Sequence, residues 1–452
     1  ATEVTIYSNR LAKEFLPGVI SPLVWSVNIP IVNSAWLDLF TAAVGELDLE
    51  PEDLSRQFAY RAYFNMSAVG DIFEAMAMPR DLLEVLIGIE GGESRPRFKP
   101  RAGVVRHMPR MTLMAGRLLR YHRELDRLIP SAQERIRELE GRDLGAMSDP
   151  ELRSHLADIE TVVREVAFGN IVAPLLFNAY GSILRRRLAR RGIDATTIDI
   201  GGGEPELVDY DPSRQLATLS SRVGELDEPT RGRVLAGEIE QVEGGTAFME
   251  RFGHVSDSGN DFSAVPWRED PARLGPLLVH GDGSLEGDTR SELPRDLSRL
   301  DRIVAGRTRR YRLERERVSY TYTRGYGLFR PAVLEIARRL LERGQLAAPD
   351  DVFYLTRPEM EAALLDEQRA TVAELARERH DDIERVRDVD MPEVIFGDDF
   401  EPAPPVDPDR QLQGTPTSRG VHIATARIVS GVDEAARVEA GDIVVIPWSD
   451  IG

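Results

Sequence analysis

The sequence predicts a mainly α protein: a large multi-helix domain over residues 1–390, an extended linker at 391–412, and a β-containing segment at 413–452. Three observations carry this expectation. Helix-opening signals followed by apolar residues at 3–4 spacing recur through the middle of the chain. A stretch with four prolines and three acids then interrupts them at residues 399–408, as an extended linker would. Beyond it the pattern turns to β, with short β-branched runs at 420–429 and 441–446.

The elements follow in order. Val4-Thr5-Ile6-Tyr7 reads as a short strand, and Leu16-Pro-Gly-Val-Ile-Ser-Pro-Leu-Val-Trp25 as a turn-rich segment. An apolar stretch from Ser26 to about Leu47 favours helix, with Pro30 starting or kinking it. Ser148 and Glu151 form a capping box, and Leu152, Leu156, Ile159, Val163 and Val166 then fall on one helical face. Asp211-Pro-Ser213 opens a helix with Leu216, Leu219 and Val223 as its stripe and Gly224 as its stop. The arginine- and glutamate-rich run 307–322 predicts a solvated helix laced with i,i+4 pairs. Val333, Ile336 and Leu340 give a stripe ending at Arg343-Gly344. Thr356 and Glu359 form a second capping box, with Pro358 in the first turn, opening a charged helix that runs with breaks to about Val389.

Composition excludes several classes of function. The chain has 452 residues, 42% of them hydrophobic, and no cysteine, so it has no disulfide, thiolate metal site or cysteine nucleophile. Its net charge of −19 argues against a nucleic-acid partner. Nearly all positive charge is arginine, since only Lys13 and Lys99 are lysines; a GC-rich genome accounts for this, and a salt-adapted acidic surface is the alternative. No apolar run is expected to reach the roughly 20 residues of a membrane span, and residues 1–9 lack a secretory pattern. The expectation is a cytoplasmic protein with no membrane partner. The ends read as those of a piece of something longer: no initiator methionine at one, a strand-like segment running straight to Gly452 at the other.

Nucleotide-binding motifs fail. Gly201-Gly-Gly203 has no Gly-Lys-Ser/Thr after it, and Gly281-Asp-Gly-Ser-Leu-Glu-Gly287 has turn chemistry only. One constellation stands out, Phe252-Gly253-His254-Val-Ser-Asp257-Ser-Gly-Asn-Asp261-Phe262, followed by Pro266-Trp267-Arg268-Glu269-Asp270. A histidine and two carboxylates on a glycine-containing loop are groups that orient a substrate, accept a proton or bind a metal. The same spacing also suits a structural loop in which Asp257 and Asp261 cap backbone N–H groups. Trp25 and Trp267, beside prolines, are either packing anchors or walls of an apolar ligand pocket.

Several segments taken together resemble one family. Leu16-Pro-Gly-Val-Ile-Ser-Pro-Leu-Val-Trp-Ser26 is similar to the Leu-Pro-Gly-x-x-Thr-Pro-Leu-x-x-Ser stretch of phosphoenolpyruvate synthase / rifampin phosphotransferase-like PEP-utilising enzymes. Arg61-Ala-Tyr-Phe-Asn-Met-Ser67 resembles their Tyr-x-Asn-x-Ser element, and the Phe252–Pro271 stretch resembles their Gly-His-Arg loop and Pro-x-Trp-x-Glu-Asp-Pro continuation. Asp351-Val-Phe-Tyr-Leu-Thr356 with Glu359 resembles a further signature, and residues 420–445 resemble the opening of the swivelling phosphohistidine domain. One departure is that the family's Gly-His-Arg reads Gly253-His254-Val255 here.

The resemblance implies a large helical substrate-binding domain followed by a truncated β/α swivelling domain of the phosphohistidine type. It implies an ATP-dependent phosphotransferase in which a mobile histidine carries phosphate from an ATP-grasp domain to an acceptor. The expected partners are a small-molecule acceptor, amphipathic with a hydroxyl or carboxylate, the ATP-grasp domain and the remainder of the phosphohistidine domain. ATP and Mg are expected for the complete enzyme. This chain is expected to bind no cofactor and no metal and to be inactive alone, with the carrier histidine expected beyond Gly452 and the ATP-grasp domain before Ala1. His254 is then the candidate base or orienting group, and Asp257, Asp261, Trp267 and Trp25 the candidate substrate-binding residues. The rival expectation is a non-catalytic helical binding or scaffold module related to the family.

Overall fold

The computed structural model describes residues 4–10, 12–16, 18–75, 104–193, 205–256, 258–280, 297–366, 371–402, 422–429, 434, 437–439 and 441–446. Asp257, the glycine clusters at 201–203 and 281–287, and residues 403–412 of the expected linker lie outside these residues. The described chain is mainly helical with small sheets.

In chain order the longer helices are α1 (Pro22–Val44), α2 (Met66–Ala75), α3 (Val104–Glu140), α4 (Asp149–Ala189), α5 (Pro212–Val223), α6 (Glu228–Leu235) and α7 (Gly245–Phe252). They continue as α8 (Arg299–Gly327), α9 (Phe329–Glu342), α10 (Arg357–Leu365) and α11 (Ala373–Val386). The strands are β1 (Ile6–Ser8), β2 (Ser55–Phe58), β3 (Arg61–Asn65), β4 (Val394–Phe396), β5 (Ala426–Ile428) and β6 (Ile443–Val445).

The caps fall where the sequence places them. Glu151 accepts the Ser148 N–H at 2.7 Å, and Glu359 accepts the Thr356 N–H at 2.7 Å. Asp211 caps α5 by accepting from Ser213 and Arg214 N–H groups at 3.0 and 3.2 Å. Helix α1 starts earlier than expected, inside the supposed turn. Pro22 occupies its first turn, where a missing N–H costs nothing, and the Ser21 hydroxyl accepts from the Val24 N–H. Pro30 lies within this helix.

The main core is built where α3, α4 and α8 pack together with α1 and α9. Leu152, Leu156, Ile159, Val163 and Val166 of α4 are each at most 1% exposed, and burying such a side chain stabilises the fold by roughly 1.5–3 kcal/mol. Two glycines allow the close approach. A Cβ on Gly169 would stand 3.1 Å from Leu125 and Val318 side-chain carbons, and one on Gly325 would stand 3.2 Å from Ile136 and Val163.

Helix α8 corrects the expectation of a solvated helix. Tyr311, Leu313, Val318, Tyr322 and Tyr326 are all buried, on a face that the surrounding arginines hide in the sequence. Arginine stems lie along apolar surface while the guanidinium groups reach outward, so charge content misjudges the burial of such a helix. Even Glu314 is fully buried, held by Arg310 at 2.7 Å and Arg317 at 3.4 Å. Burial pushes its carboxyl upward against the pull of those two arginines.

The expectation about apolar runs is also corrected. Helices α1 and α4 are both long and apolar enough to cross a membrane by length and composition. Both contribute to the main core, and α1 buries Asn28 and Asn33. Asn33 donates to the Pro51 carbonyl at 2.7 Å.

A four-stranded antiparallel sheet, in the order β2-β3-β1-β4, packs beside the helices. It joins chain ends far apart in sequence, since Ile6 pairs with Phe396 and Ser8 with Val394. Residues 394–396, expected within the linker, are therefore part of this sheet, and Phe400 packs on Phe58 at 6.1 Å between ring centroids. A separate parallel pair, β5 with β6, leaves Ile428, Val444 and Val445 exposed.

A second hydrophobic cluster gathers Leu219, Val223, Val234, Phe248, Phe252 and Trp267. Replacing Leu156→Ala in the main core is expected to cost about 2–5 kcal/mol in chemical denaturation. Leu113→Ala on the exposed part of α3, where Leu113 is 75% exposed, should change stability by less than about 0.5 kcal/mol.

Candidate functional site

Helix α7 ends at Phe252, whose ring is fully buried in the second cluster. The chain then leaves as a loop pinched at its base. Gly253 O accepts the Arg268 N–H and Val255 O accepts the Trp267 N–H, both at 2.8 Å. A Cβ on Gly253 would come within 3.1 Å of the Arg268 Cβ and 2.4 Å of the Met249 carbonyl oxygen, so the pinch needs a residue without a side chain.

Between these ends the loop is held from three sides. Asn28 of α1 donates to the Asn260 carbonyl at 3.1 Å. Phe262 packs against Tyr326, Phe329 and Phe353. Arg330, in the first turn of α9, meets both carboxylate oxygens of Glu269 at 2.9 Å and donates to the Ser263 carbonyl at 2.8 Å. Its guanidinium also lies over the Phe353 ring.

These contacts frame a half-open cavity of about 90 Å3. Its wall includes His254, Asp261, Arg268, Glu269, Tyr326 and Arg330. The volume is room for several waters or one small polar group, well below the ~300 Å3 at which drug-sized pockets begin.

His254 is 9% exposed and neither ring nitrogen has a hydrogen-bond partner. Its ring stands edge-on to Tyr320 at 5.6 Å, and Gly327 of α8 passes its Cβ closely enough that an added Cβ would lie 3.3 Å away. Burial first, then the charges of Arg268 and Arg324, lower its pKa to about 3. The Arg251 backbone opposes this more weakly. A base so weak does not suit general-base catalysis near neutral pH. A buried neutral imidazole with both nitrogens open is instead an orienting group, or one waiting for a charge.

Asp261 serves the loop itself. Its carboxylate accepts from the Ser263 N–H at 2.8 Å and from the Ser263 hydroxyl, the capping role its spacing allowed. Burial pushes its pKa up, against those hydrogen bonds and Arg330. Trp267 stacks on Phe248 at 6.0 Å in the second cluster, and Trp25 packs against the main core. Neither indole lies in the wall of this cavity. Among the described residues no group of three or more His, Asp or Glu is arranged to hold a metal.

Sequence reasoning missed Tyr326 and Arg330, which come from elements some 70 residues further on, and did not single out Arg268 or Glu269 within the quoted motif.

No protein-family model matches the sequence. Curated relatives do. A rifampicin phosphotransferase of Streptomyces sviceus is 28% identical over 248 residues, one of Streptomyces sp is 26% identical over 255, and one of Bacillus subtilis (strain 168) is 23% identical over 252. The chain is distantly similar to rifampicin phosphotransferases, a PEP-utilising enzyme family. Each alignment covers 47% of this chain but only 28% of the rifampicin phosphotransferase. The similarity agrees with the resemblance carried by the motif segments.

Two outcomes are expected at this site. Arg330→Ala should destabilise the chain by about 2–3 kcal/mol in chemical denaturation, below the ~3–5 kcal/mol for fully buried pairs because Glu269 is partly exposed. His254 makes stability depend on pH. The unfolded imidazole takes up a proton near pH 6.5, while the folded one does so only near 3. Stability from this residue is therefore complete above about pH 6.5 and is lost as pH falls toward 3. A His254→Gln variant should show a flatter stability profile across that window.

Proposed function

We propose that this chain supplies the acceptor-binding body of an ATP-dependent phosphotransferase, with the β5–β6 segment as the start of a mobile phosphohistidine domain. The observation that carries the proposal is the cavity framed by the Gly253-His254 loop, with its open imidazole, in a chain distantly similar to rifampicin phosphotransferases. The parallel pairing of β5 and β6 suits a β/α domain, in which crossover connections link parallel strands.

In this reading the cavity receives only the polar end of the acceptor, because its volume is too small for an amphipathic molecule's body. His254 orients that end rather than removing its proton, as its low basicity requires. The complete enzyme brings ATP, Mg and the carrier histidine from other domains, and the cytoplasm is the compartment proposed for it. In-line transfer demands that donor and acceptor meet in one geometry, so a misplaced acceptor slows the reaction steeply.

The test joins this chain to an ATP-grasp domain and a complete phosphohistidine domain and follows transfer of label from ATP to an acceptor. His254→Ala is expected to lower kcat/KM on the order of tenfold to a hundredfold. Undiminished transfer would remove the His254 cavity from the reaction.

A further inference from the structure

The charges around His254 are unevenly paired. Arg330 is matched by Glu269 at 2.9 Å, a closed pair. Glu140 of α3 is shared, with Arg324 at 2.7 Å and Arg268 at 3.3 Å. Among the described residues, one carboxylate thus answers the two guanidinium groups nearest His254. The Asp261 carboxylate is turned to its own loop, where it accepts from the Ser263 N–H and hydroxyl, and it makes no ion pair with Arg268 or Arg324. Of the tyrosines in contact, Tyr320 accepts from Arg324 at 3.2 Å, and Tyr326 is buried with its hydroxyl unpartnered.

Two guanidinium groups sharing one carboxylate, a half-open space of about 90 Å3 and a buried imidazole whose ring nitrogens lack hydrogen-bond partners occur together. Neutral imidazole offers one donor and one acceptor, whereas imidazolium offers two donors. We propose that the cavity beside His254 is a binding site for one small oxyanion, a carboxylate or a phosphate. Arg268, whose side chain is 40% exposed and holds Glu140 only loosely, is the cation free to turn toward it. The bound anion offsets the field of Arg268 and Arg324 and accepts a hydrogen bond from His254, so the imidazole takes up a proton as the anion arrives. An adjacent opposite charge raises a histidine pKa by roughly 1–3, enough to carry His254 from about 3 to the neighbourhood of pH 5.5. This deepens the acceptor reading and rests on it for the occupant's identity: the acceptor's own carboxylate, or a phosphoryl group.

The experiment uses this chain alone, labelled with nitrogen-15, at about pH 5.5, where an isolated His254 is neutral. The imidazole nitrogens of His254, assigned with a His254→Gln variant, are followed while sodium acetate or inorganic phosphate is added. Sodium chloride at equal ionic strength is the control. The expected result is saturable movement of the His254 signals toward the imidazolium pattern with acetate, phosphate or both, and none with chloride. A response to acetate alone assigns the site to a carboxylate, and one to phosphate alone to a phosphoryl group. Arg268→Ala should weaken the apparent affinity roughly tenfold. Signals that stay neutral with both anions, or that follow chloride equally, overturn the site. Either result leaves the transfer assay with His254→Ala to decide the acceptor reading separately.

Discussion

Close packing of α4 against α8 is the constraint on which the remaining architecture depends. Gly169 and Gly325 let these helices and α3 approach to contact distances that a side chain at either position would prevent. Helix α8 ends at Gly327, and α9 begins at Phe329. Thr323, Tyr326, Gly327 and Arg330 are thereby fixed as one rigid wall. The Gly253-His254 loop is laid against this wall, tied by Phe262, by Arg330 and by Asn28 of α1.

A loop seated in this way has an electrostatic character that its own residues do not supply. His254 is neutral because the body buries it and because Arg268 and Arg324 stand near it. Arg324 and Glu140 come from α8 and α3, so the field in the cavity is set by the bundle as much as by the loop. The same bundle burial explains Glu314, a carboxylate in the core between two arginines of its own helix. Buried ionic groups of this kind contribute little net stability and a strong preference for one arrangement.

Much of the helical plan was legible in the residues. The capping boxes at Ser148 and Thr356, the Asp211 cap and the α4 stripe are local features, and local features survive folding unchanged. Misreadings arose where context overrode composition. Helix α8 looked solvated because arginines outnumber its buried tyrosines, and α1 began early because Pro22 fits a first turn. Residues 394–396 looked like linker because a three-residue strand has almost no pattern of its own. The partner that makes it a strand, β1, lies nearly 400 residues earlier.

The sequence by itself determined that the chain is mainly helical, where its clearest helices start, and that the loop after Phe252 carries a histidine and two carboxylates. It also carried the resemblance that the curated relatives share. Tertiary structure alone decided that Trp25 packs against the main core and Trp267 in the second cluster, that Asp261 accepts hydrogen bonds from its own loop, and that Arg268, Tyr326 and Arg330 line one cavity with His254. The physical reason is range. A cap or an apolar stripe is satisfied within a few residues, whereas a cavity and its field are made by groups that only the packed chain brings together.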